Sequence, residues 1–421
     1  MKEAAACRRP SYIVRPRTAL LTRGFDPALS VGSARPAVFR SSTYVFPSPE
    51  AAERAFAIAT GKVAATEDGR GDLIYARLAH PNANILEDQI LALEPGSRGA
   101  AVFNSGMAAI TTLFLTLCEP GSTFVYTTPL YGGTFHFIHH ILADFGIRGI
   151  AVPAGATDAL IRAISSAPNL RLVFIETPAN PTLTMTDIEA ASNAAHLRED
   201  GAVVAVDNTL MGPVFQHPLR LGADAVVYSA TKYLSGFSDM LAGVVLAANP
   251  ILVEELRATR AILGNILQAD ESWLLDGRLP TVAFRMNRQS KNAQHIVEGL
   301  EGHPRIRKIH YPTLFTDPEQ QRIANAQCHF PGAMFSIELL DGKTEAFNFL
   351  RNLKLIRIAV SLGGVESLAC HPATTTHSEI PGEELRDLEI TGGLVRISVG
   401  VEDWRDLLRD IRQALQGGIY D

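Results

Sequence analysis

Six short apolar segments recur between residues 100 and 247, and most are separated by stretches whose apolar residues have helical spacing. The segments are residues 100–103, 123–126, 171–175, 202–206, 223–228 and 243–247. Short continuous apolar runs are typical of strands that are buried on both faces of a parallel sheet. Intervening helices let successive strands run in the same direction. From about residue 85 to 250, the chain is therefore predicted to form a doubly wound α/β unit with helices on both faces of a mostly parallel sheet.

Two polar residues lie directly beyond neighbouring strands of this predicted sheet. Asp207 follows the strand at 202–206, and Lys232 follows the strand at 223–228. The carboxyl ends of parallel strands meet at one edge, which is where α/β sheets bind ligands. A lysine among apolar neighbours loses hydration, so its pKa falls and its neutral amine becomes a nucleophile. The alternative is an ordinary surface lysine after a strand.

A lysine paired with a carboxylate is the pair of groups that pyridoxal phosphate requires. The lysine binds the cofactor's aldehyde, and the carboxylate keeps the ring nitrogen protonated so that the ring withdraws electrons from a carbanion. An ion pair at ~4 Å with an effective dielectric constant near 20 is worth roughly 4 kcal/mol, or about three pKa units. That energy is sufficient to keep the ring nitrogen charged at neutral pH.

Composition narrows the class of protein further. The chain has 421 residues, 47% of them hydrophobic, and a net charge of −6, which does not suggest a nucleic-acid or membrane partner. Its four cysteines have no C-x-x-C spacing, which favours thiols in a reducing compartment over disulfides. His136, His139 and His140 lack an accompanying acid or cysteine, so no metal is expected. We expect a cytoplasmic enzyme, and a transit peptide in the basic N-terminal residues is the alternative.

The segments Asp207-Asn208-Thr209 and Ser229-Ala230-Thr231-Lys232-Tyr233 resemble the cysteine and methionine metabolism family of pyridoxal phosphate enzymes, which are trans-sulfuration enzymes. The resemblance covers about residues 20–415. It implies the fold type I pyridoxal phosphate transferase architecture: an α/β fold with a seven-stranded, mostly parallel sheet and a smaller C-terminal α+β domain. It also implies that Ser229, Thr231 and Thr209 lie beside the cofactor, and that Lys232 and Asp207 are catalytic.

Three further segments match the resemblance. The turn before residue 108 opens a helix whose free N–H groups suit a phosphate, and Gly106 and Met107 would be the donors. Tyr131 precedes two glycines that permit the close approach of a flat ligand, and by the resemblance it stacks on the cofactor and acts as an acid or base. Asn180 lies between two prolines that fix its loop, and in the family this asparagine lies beside the cofactor's phenolic oxygen and contacts the substrate.

The N-terminal region is expected to cooperate with a second subunit. Residues 1–70 are interrupted by prolines and only residues 49–59 have helical spacing, so they are predicted to form an arm that packs elsewhere. A polar, glycine-rich loop is expected at 64–72. By the resemblance, Tyr75 and Arg77 reach the neighbouring subunit's site and bind the cofactor phosphate. A homotetramer built as a dimer of dimers with shared active sites is expected, with a large cofactor-binding domain at 71–268.

The C-terminal domain, residues 269–421, is predicted to supply the substrate contacts. Its predicted strands are residues 305–310, 334–340, 357–361 and 395–399, which suggest a small α+β unit. Arg396 lies within the last of these strands, where its guanidinium is a rigid fork for a carboxylate. By the resemblance it binds the substrate's α-carboxylate, assisted by the region around Ser361. The alternative is an arginine on the solvent face of the strand.

The favoured reaction is γ-elimination on a sulfur- or oxygen-substituted amino acid of the methionine or homoserine type, which releases 2-oxobutyrate, ammonia and the γ-leaving group. Val360 is apolar where cystathionine enzymes of the family tend to have a glutamate, which favours a short uncharged side chain, as in the methionine γ-lyases. Two departures from those lyases leave rivals open: Gly133 replaces a cysteine, and Arg260-Ala261 replaces a lysine–aspartate pair. The rivals are γ-replacement by a cystathionine γ-synthase or O-acylhomoserine sulfhydrylase, cystathionine γ- or β-lyase activity and, remotely, a non-catalytic cofactor-binding regulator.

Overall fold

A seven-stranded sheet with helices on both faces forms the larger part of the molecule. Our computed structural model describes residues 14–63 and 73–417, so the predicted loop at 64–72 and the first 13 residues lie outside the described residues. The strands of this sheet are β1 (Gly99–Phe103), β2 (Thr123–Thr128), β3 (Arg148–Pro153), β4 (Leu170–Glu176), β5 (Val203–Asp207), β6 (Ala225–Ser229) and β7 (Gly243–Ala247).

In the N-terminal and central parts of the described residues, three α-helices precede β1, four α-helices and a π-helical turn at Phe137–Leu142 lie between strands of the sheet, and one α-helix follows β7. They are α1 (Pro16–Thr22), α2 (Pro49–Ala59), α3 (Pro81–Ile90), α4 (Gly106–Leu117), α5 (Gly132–His136), α6 (Thr157–Ser166), α7 (Ile188–His196) and α8 (Pro250–Leu263). Within the described ranges, no helix is long and apolar enough to cross a membrane.

The order of strands in the large sheet is β1-β7-β6-β5-β4-β2-β3. β2 to β6 pair in parallel, and β7 is antiparallel to both of its neighbours. The predicted mostly parallel, seven-stranded α/β sheet is confirmed. Sequence reasoning missed β3, because this edge strand buries only one of its six residues and therefore lacks a continuous apolar run.

Alternate residues of the central strands enter different parts of the core. In β6, Val226 and Tyr228 join a core that continues into the C-terminal sheet, whereas Ala225 and Val227 pack on the opposite face beneath α4 and α8. Burial on both faces explains why these strands are apolar throughout. It also leaves their carboxyl ends as the place where polar side chains can be exposed to a ligand.

A second, five-stranded sheet follows in the C-terminal part, in the order β10-β11-β12-β9-β8. Its strands are β8 (Ile306–His310), β9 (Met334–Leu339), β10 (Arg357–Ile358), β11 (Leu368–Cys370) and β12 (Leu394–Ser398). The accompanying helices are α9 (Ala269–Asp276), α10 (Val282–Leu300), α11 (Pro318–Gln327), α12 (Gly342–Asn352), α13 (Gly382–Asp387) and α14 (Trp404–Leu415). The smaller α+β part is thus confirmed, although the strand predicted at 357–361 ends at Ile358 and the short β11 was missed.

A buried carboxylate joins α3 to the large sheet and to α8. Glu87 accepts hydrogen bonds from Arg257 and Arg260 at 2.7 Å each and from the backbone N–H of Val102 at 3.0 Å. Although burial raises the pKa of Glu87, the two guanidiniums hold it below its ordinary value. Arg260 is 4% exposed, so it has no access to solvent that could replace this partner.

We expect Glu87→Gln to lower the free energy of unfolding by ~3–5 kcal/mol, because it leaves the buried guanidinium of Arg260 without a counter-charge. Urea denaturation measures the change. The matched control is Glu254→Gln, since Glu254 also pairs with Arg257 at 2.7 Å but has 70% of its side chain exposed. An exposed ion pair contributes only about 0.2–1 kcal/mol, so equal losses in the two variants would contradict the role of Glu87.

Candidate active site

A cavity that opens to solvent lies at the carboxyl edge of the large sheet. Polar groups from three strand ends and one helix start converge on it together with apolar side chains. Nine residues predicted from the sequence line it: Gly106, Met107, Tyr131, Asn180, Asp207, Thr209, Ser229, Thr231 and Lys232. Their convergence follows from the topology, because β4, β5 and β6 are parallel neighbours.

Lys232 lies in the turn that follows β6. Its backbone N–H donates to the carbonyl of Ser229 at 3.0 Å, and its carbonyl accepts from Gly236 at 2.7 Å. Its Nζ donates to the hydroxyl of Ser361 at 3.0 Å. Burial lowers the pKa of Lys232 to about 8, and the nearby positive charge of Arg396 acts in the same direction. A substantial fraction of the amine is therefore neutral near physiological pH.

Asp207, the last residue of β5, is a buried carboxylate that faces the cavity. Its Oδ1 accepts from the backbone N–H of Thr209 at 3.0 Å. Burial raises the pKa of Asp207, and the hydrogen bonds from Thr209 oppose this only in part. No cation among the described residues contributes to that balance. A buried carboxylate without a cationic partner fits the protonated nitrogen of a pyridine ring.

The start of α4 supplies a site for an anion. Ser105 caps this 12-residue helix by accepting from Ala108 N–H at 3.0 Å. The first N–H groups of a helix have no partner within it, so those of Gly106 and Met107 are available to a ligand. A Cβ on Gly106 would lie 2.8 Å from Ser229, which explains the glycine. The hydroxyl of Thr231 bonds both the N–H and the carbonyl of Ala242, and that of Thr209 accepts from Ser229 N–H at 2.9 Å.

Tyr131 precedes α5 and remains 45% exposed at the cavity. Its backbone N–H donates to Glu176 Oε2 at 2.9 Å. A Cβ on Gly133 would lie 2.8 Å from the ring of Tyr131 and 3.1 Å from Met107 Sδ, so the ring occupies space that a side chain at 133 would require. A glycine at position 133 thus leaves room for the ring in this position.

Arg396 lies in the middle of β12 and is 2% exposed, so the alternative of a solvent-facing arginine is wrong. It donates to Asn180 Oδ1 at 3.2 Å and to the carbonyls of Val360 and Ser361 at 2.8 and 3.0 Å. Its Nε is buried without a hydrogen-bond partner among the described residues. An unpaired buried donor fits an acceptor such as a substrate carboxylate.

Five of the predicted residues do not line the cavity within one chain. Two of them, Arg396 and Ser361, contact the lining residues Asn180 and Lys232, and the other three lie farther away. Val360 is 56% exposed, and its carbonyl holds Arg396. Tyr75 is 42% exposed, and Arg77 donates to the carbonyl of Ala261 at 2.7 Å. The guanidinium of Arg77 lies 5.7 Å from the centre of the Tyr75 ring. The expected contact of Tyr75 and Arg77 with the cofactor phosphate needs a second copy of the chain and stays a prediction.

Sequence reasoning assigned no role to several residues of the site. Glu176 lies at the end of β4, and Leu241 and Leu362 add apolar surface to the cavity. His377 is buried behind Asn180, with Nε2 3.0 Å from the Asn180 carbonyl oxygen. The rule that found Asp207 and Lys232, a polar residue just beyond an apolar strand, also applies to Glu176. No comparable signal marks His377, because it reaches the site from a distant loop.

The fold and the cavity together define a pyridoxal phosphate-dependent enzyme of the α/β class. The cavity combines an amine of lowered pKa, a buried carboxylate without a cation and a helix start that suits a phosphate, so its residues fit the cofactor. The family model for Cys/Met metabolism PLP-dependent enzymes matches residues 17–416. The chain belongs to this family, and its cofactor is pyridoxal phosphate.

Individual relatives include both lyases and a synthase. The chain is 40% identical over 400 residues to the L-methionine gamma-lyase of Pseudomonas putida, a match that covers 95% of this chain and 96% of the relative. It is 42% identical over 343 residues to the cystathionine gamma-lyase of Bacillus subtilis, covering 81% and 88%. Among solved structures, the cystathionine gamma synthase of Xanthomonas oryzae pv. oryzae has a TM-score of 0.86 at 31% identity, covering 97% and 99%. The relatives support γ-elimination or γ-replacement in general.

We expect the rate at which cofactor-free protein captures pyridoxal phosphate to rise with pH and to be half-maximal near pH 8. The reason is that the pKa of Lys232 is lowered to about 8 from its ordinary 10.5, so the reactive neutral amine forms as the pH passes 8. Absorbance measurements across a pH series give the rate, with Lys232→Ala as the control for non-covalent binding. A half-maximal rate near pH 10 would contradict a buried amine.

Proposed function

We propose that the protein catalyses γ-elimination on a sulfur- or oxygen-substituted amino acid of the methionine or homoserine type, releasing 2-oxobutyrate, ammonia and the γ-leaving group. The observation that carries this proposal is the network joining Lys232 to Ser361 and Ser361 to Arg396. It connects a candidate base to a candidate carboxylate anchor. The L-methionine gamma-lyases at 40% identity support the same assignment.

Residues of the cavity divide the work of holding the cofactor. Asp207 would hold the ring nitrogen, Tyr131 would cover the ring, and Asn180 would contact its phenolic oxygen. Gly106, Met107, Ser229 and Thr231 would hold the phosphate, together with Tyr75 and Arg77 from a second copy of the chain. Thr209 supports the site through Ser229. When bound, pyridoxal phosphate supplies a ring that withdraws electrons from the substrate's α-carbon.

The protein's side chains move the protons. Arg396 and Asn180 bind the substrate's α-carboxylate and so orient the α-carbon. Lys232 Nζ, with its pKa lowered to about 8, removes the α-proton and then a β-proton. Tyr131 gives a proton to the departing γ-group. Asp207, opposite the ring nitrogen, would sustain the electron withdrawal.

The second candidate is γ-replacement, in which an added thiol takes the place of the leaving group. The similarity to a cystathionine gamma synthase structure over 97% of the chain favours it. Gly133 also favours a departure from the methionine γ-lyases, because the Tyr131 ring occupies the space where a side chain would lie. A cystathionine lyase is a third member of the same class, given the relative from Bacillus subtilis.

The assembly and the compartment are also proposals. We place the arm at residues 1–70, the cofactor-binding domain at 71–268 and the C-terminal domain at 269–421. A homotetramer would bring Tyr75 and Arg77 to the neighbouring site. Cys118, Cys328 and Cys370 are free thiols at least partly buried, which supports a reducing compartment such as the cytoplasm.

We expect purified protein to release 2-oxobutyrate from methionine or O-acylhomoserine without an added thiol, and Lys232→Ala to abolish release. The test is a panel of γ-substituted amino acids scored for oxo acid and for new thioether, with and without thiol. Thioether formation as the dominant outcome would replace elimination by γ-replacement. Full activity of Lys232→Ala would falsify the role of the lysine.

We expect Val360→Glu to raise the kcat/KM ratio of cystathionine to methionine about tenfold, because one charge-assisted hydrogen bond to the distal ammonium is worth ~1.5–3 kcal/mol. Val360→Gln is the matched control, since it adds similar volume without charge. Equal ratios in the two variants would show that charge at position 360 does not select the substrate.

A further inference from the structure

Glu176 lies at the centre of the site without a part in the proposed proton transfers. It ends β4 and pairs in register with Asp207, which ends β5. Residues paired in register on parallel strands have side chains on the same face. Both carboxyl groups line the cavity, and Glu176 is only 6% exposed. A second buried carboxyl beside Asp207 is costly unless the chain uses it.

The contacts of Glu176 are with the backbone of two neighbouring loops. Its Oε2 accepts from Tyr131 N–H at 2.9 Å. The backbone N–H of Asn180 also stabilises its charged form. Its own N–H donates to Thr127 Oγ1 at 3.1 Å, which fixes the end of the strand. One carboxyl group therefore lies between the segment that carries Tyr131 and the loop that carries Asn180.

Few other polar contacts fix the position of Tyr131. Within the described residues, its phenol makes no hydrogen bond, and the next two residues are glycines. A Cβ on Gly132 would lie 2.4 Å from the carbonyl oxygen of Thr376. The glycine therefore lets this segment pass close to the loop that carries Thr376. Asn180, by contrast, is also held by Arg396 and His377. The carbonyl of Tyr131 accepts from the N–H groups of Thr134 and Phe135 in α5. Among the described residues, the bond to Glu176 is thus the hydrogen bond that links the Tyr131 backbone to the sheet.

We propose that Glu176 is a positioning residue whose carboxyl group braces the backbone of Tyr131 and Asn180, so that the phenol and the amide are held at the cofactor and substrate. This inference rests on the roles of Tyr131 and Asn180 in the proposed function. It concerns this chain's residues, and the cofactor affinity that tests it does not depend on the identity of the substrate.

The charges around Glu176 indicate which protonation state of its carboxyl group braces the two backbone segments. Burial, followed by the negative charge of Asp207, raises the pKa of Glu176 to about 8, while Arg396 lowers it. Lys232 is the remaining charged group that lines the cavity. Glu176 is therefore mostly protonated near neutral pH. A glutamine, which is neutral and has one carbonyl acceptor, imitates this form.

The test compares Glu176→Gln with Glu176→Leu, which have similar volumes and differ in the acceptor. Leucine leaves the Tyr131 N–H unpaired. We expect Glu176→Leu to weaken cofactor binding at least tenfold, measured by titration of cofactor-free protein. It should also lower kcat about 100-fold with a smaller change in KM, because a misplaced catalytic group costs on the order of 10²-fold in rate. Glu176→Gln should stay within threefold in cofactor affinity and tenfold in kcat.

Two further measurements separate positioning from general stability. Asp276→Asn makes the same acid-to-amide change at another buried site, where the carboxylate pairs with Arg35 at 3.0 Å, and should leave cofactor affinity unchanged. In a Tyr131→Phe background, Glu176→Leu should lower kcat much less than it does in the parent enzyme, because residues that act together are not additive. The proposal is overturned if Glu176→Leu and Glu176→Gln have the same cofactor affinity and kcat. It is also overturned if the loss of kcat in the double variant equals the product of the losses in Tyr131→Phe and Glu176→Leu.

If the panel of amino acids shows γ-replacement instead of elimination, the same comparison is made with the replacement substrates. The affinity for pyridoxal phosphate still decides whether Glu176 braces the site. An error in the proposed reaction would thus appear in the products of the amino-acid panel, whereas an error in the role of Glu176 would appear in the cofactor affinities of its variants.

Discussion

The chemistry that we propose for this protein depends on keeping the amine of one lysine out of water. Lys232 is the only lysine between residues 63 and 290, and it lies in a cavity where burial lowers its pKa to about 8. Burial of an ammonium is unfavourable, and the same low-dielectric surroundings raise the pKa of Asp207 and Glu176. Buried charged groups are unfavourable without partners, but they can pair with a cationic ring and a carboxylate substrate when these bind.

The fold makes this arrangement possible because the apolar strands form the core and their ends carry the polar groups of the site. The apolar strands are buried on both faces, so their carboxyl ends concentrate the polar groups, and the start of α4 adds unpaired N–H groups at the same edge. The C-terminal sheet then closes the site from another direction, since Arg396 and Ser361 contact Asn180 and Lys232, respectively. A single chain nevertheless lacks Tyr75 and Arg77 at its cavity, which is why the proposed assembly matters for function.

Sequence patterns predicted the central strands, because burial on both faces imposes continuous apolar runs. They also predicted the residues at the strand ends, because the carboxyl ends of parallel strands lie at one edge of the sheet. They failed where those causes are absent. The edge strand β3 is mostly exposed, and β11 has only three residues, so neither has a distinctive pattern. Glu176 was visible as a strand exit, but its role depends on a hydrogen bond to a backbone 45 residues away. The effect of Gly133 on the Tyr131 ring is a matter of distances, which no local sequence pattern encodes.

We propose that Lys232 binds pyridoxal phosphate covalently. Borohydride reduction of the loaded protein, followed by peptide mass spectrometry, identifies the modified residue, because no other lysine lies near Lys232 in the sequence. We expect the mass of the reduced cofactor on the peptide that contains Lys232 and on no other. A label on another lysine, or loaded protein that carries no label after reduction, would contradict it.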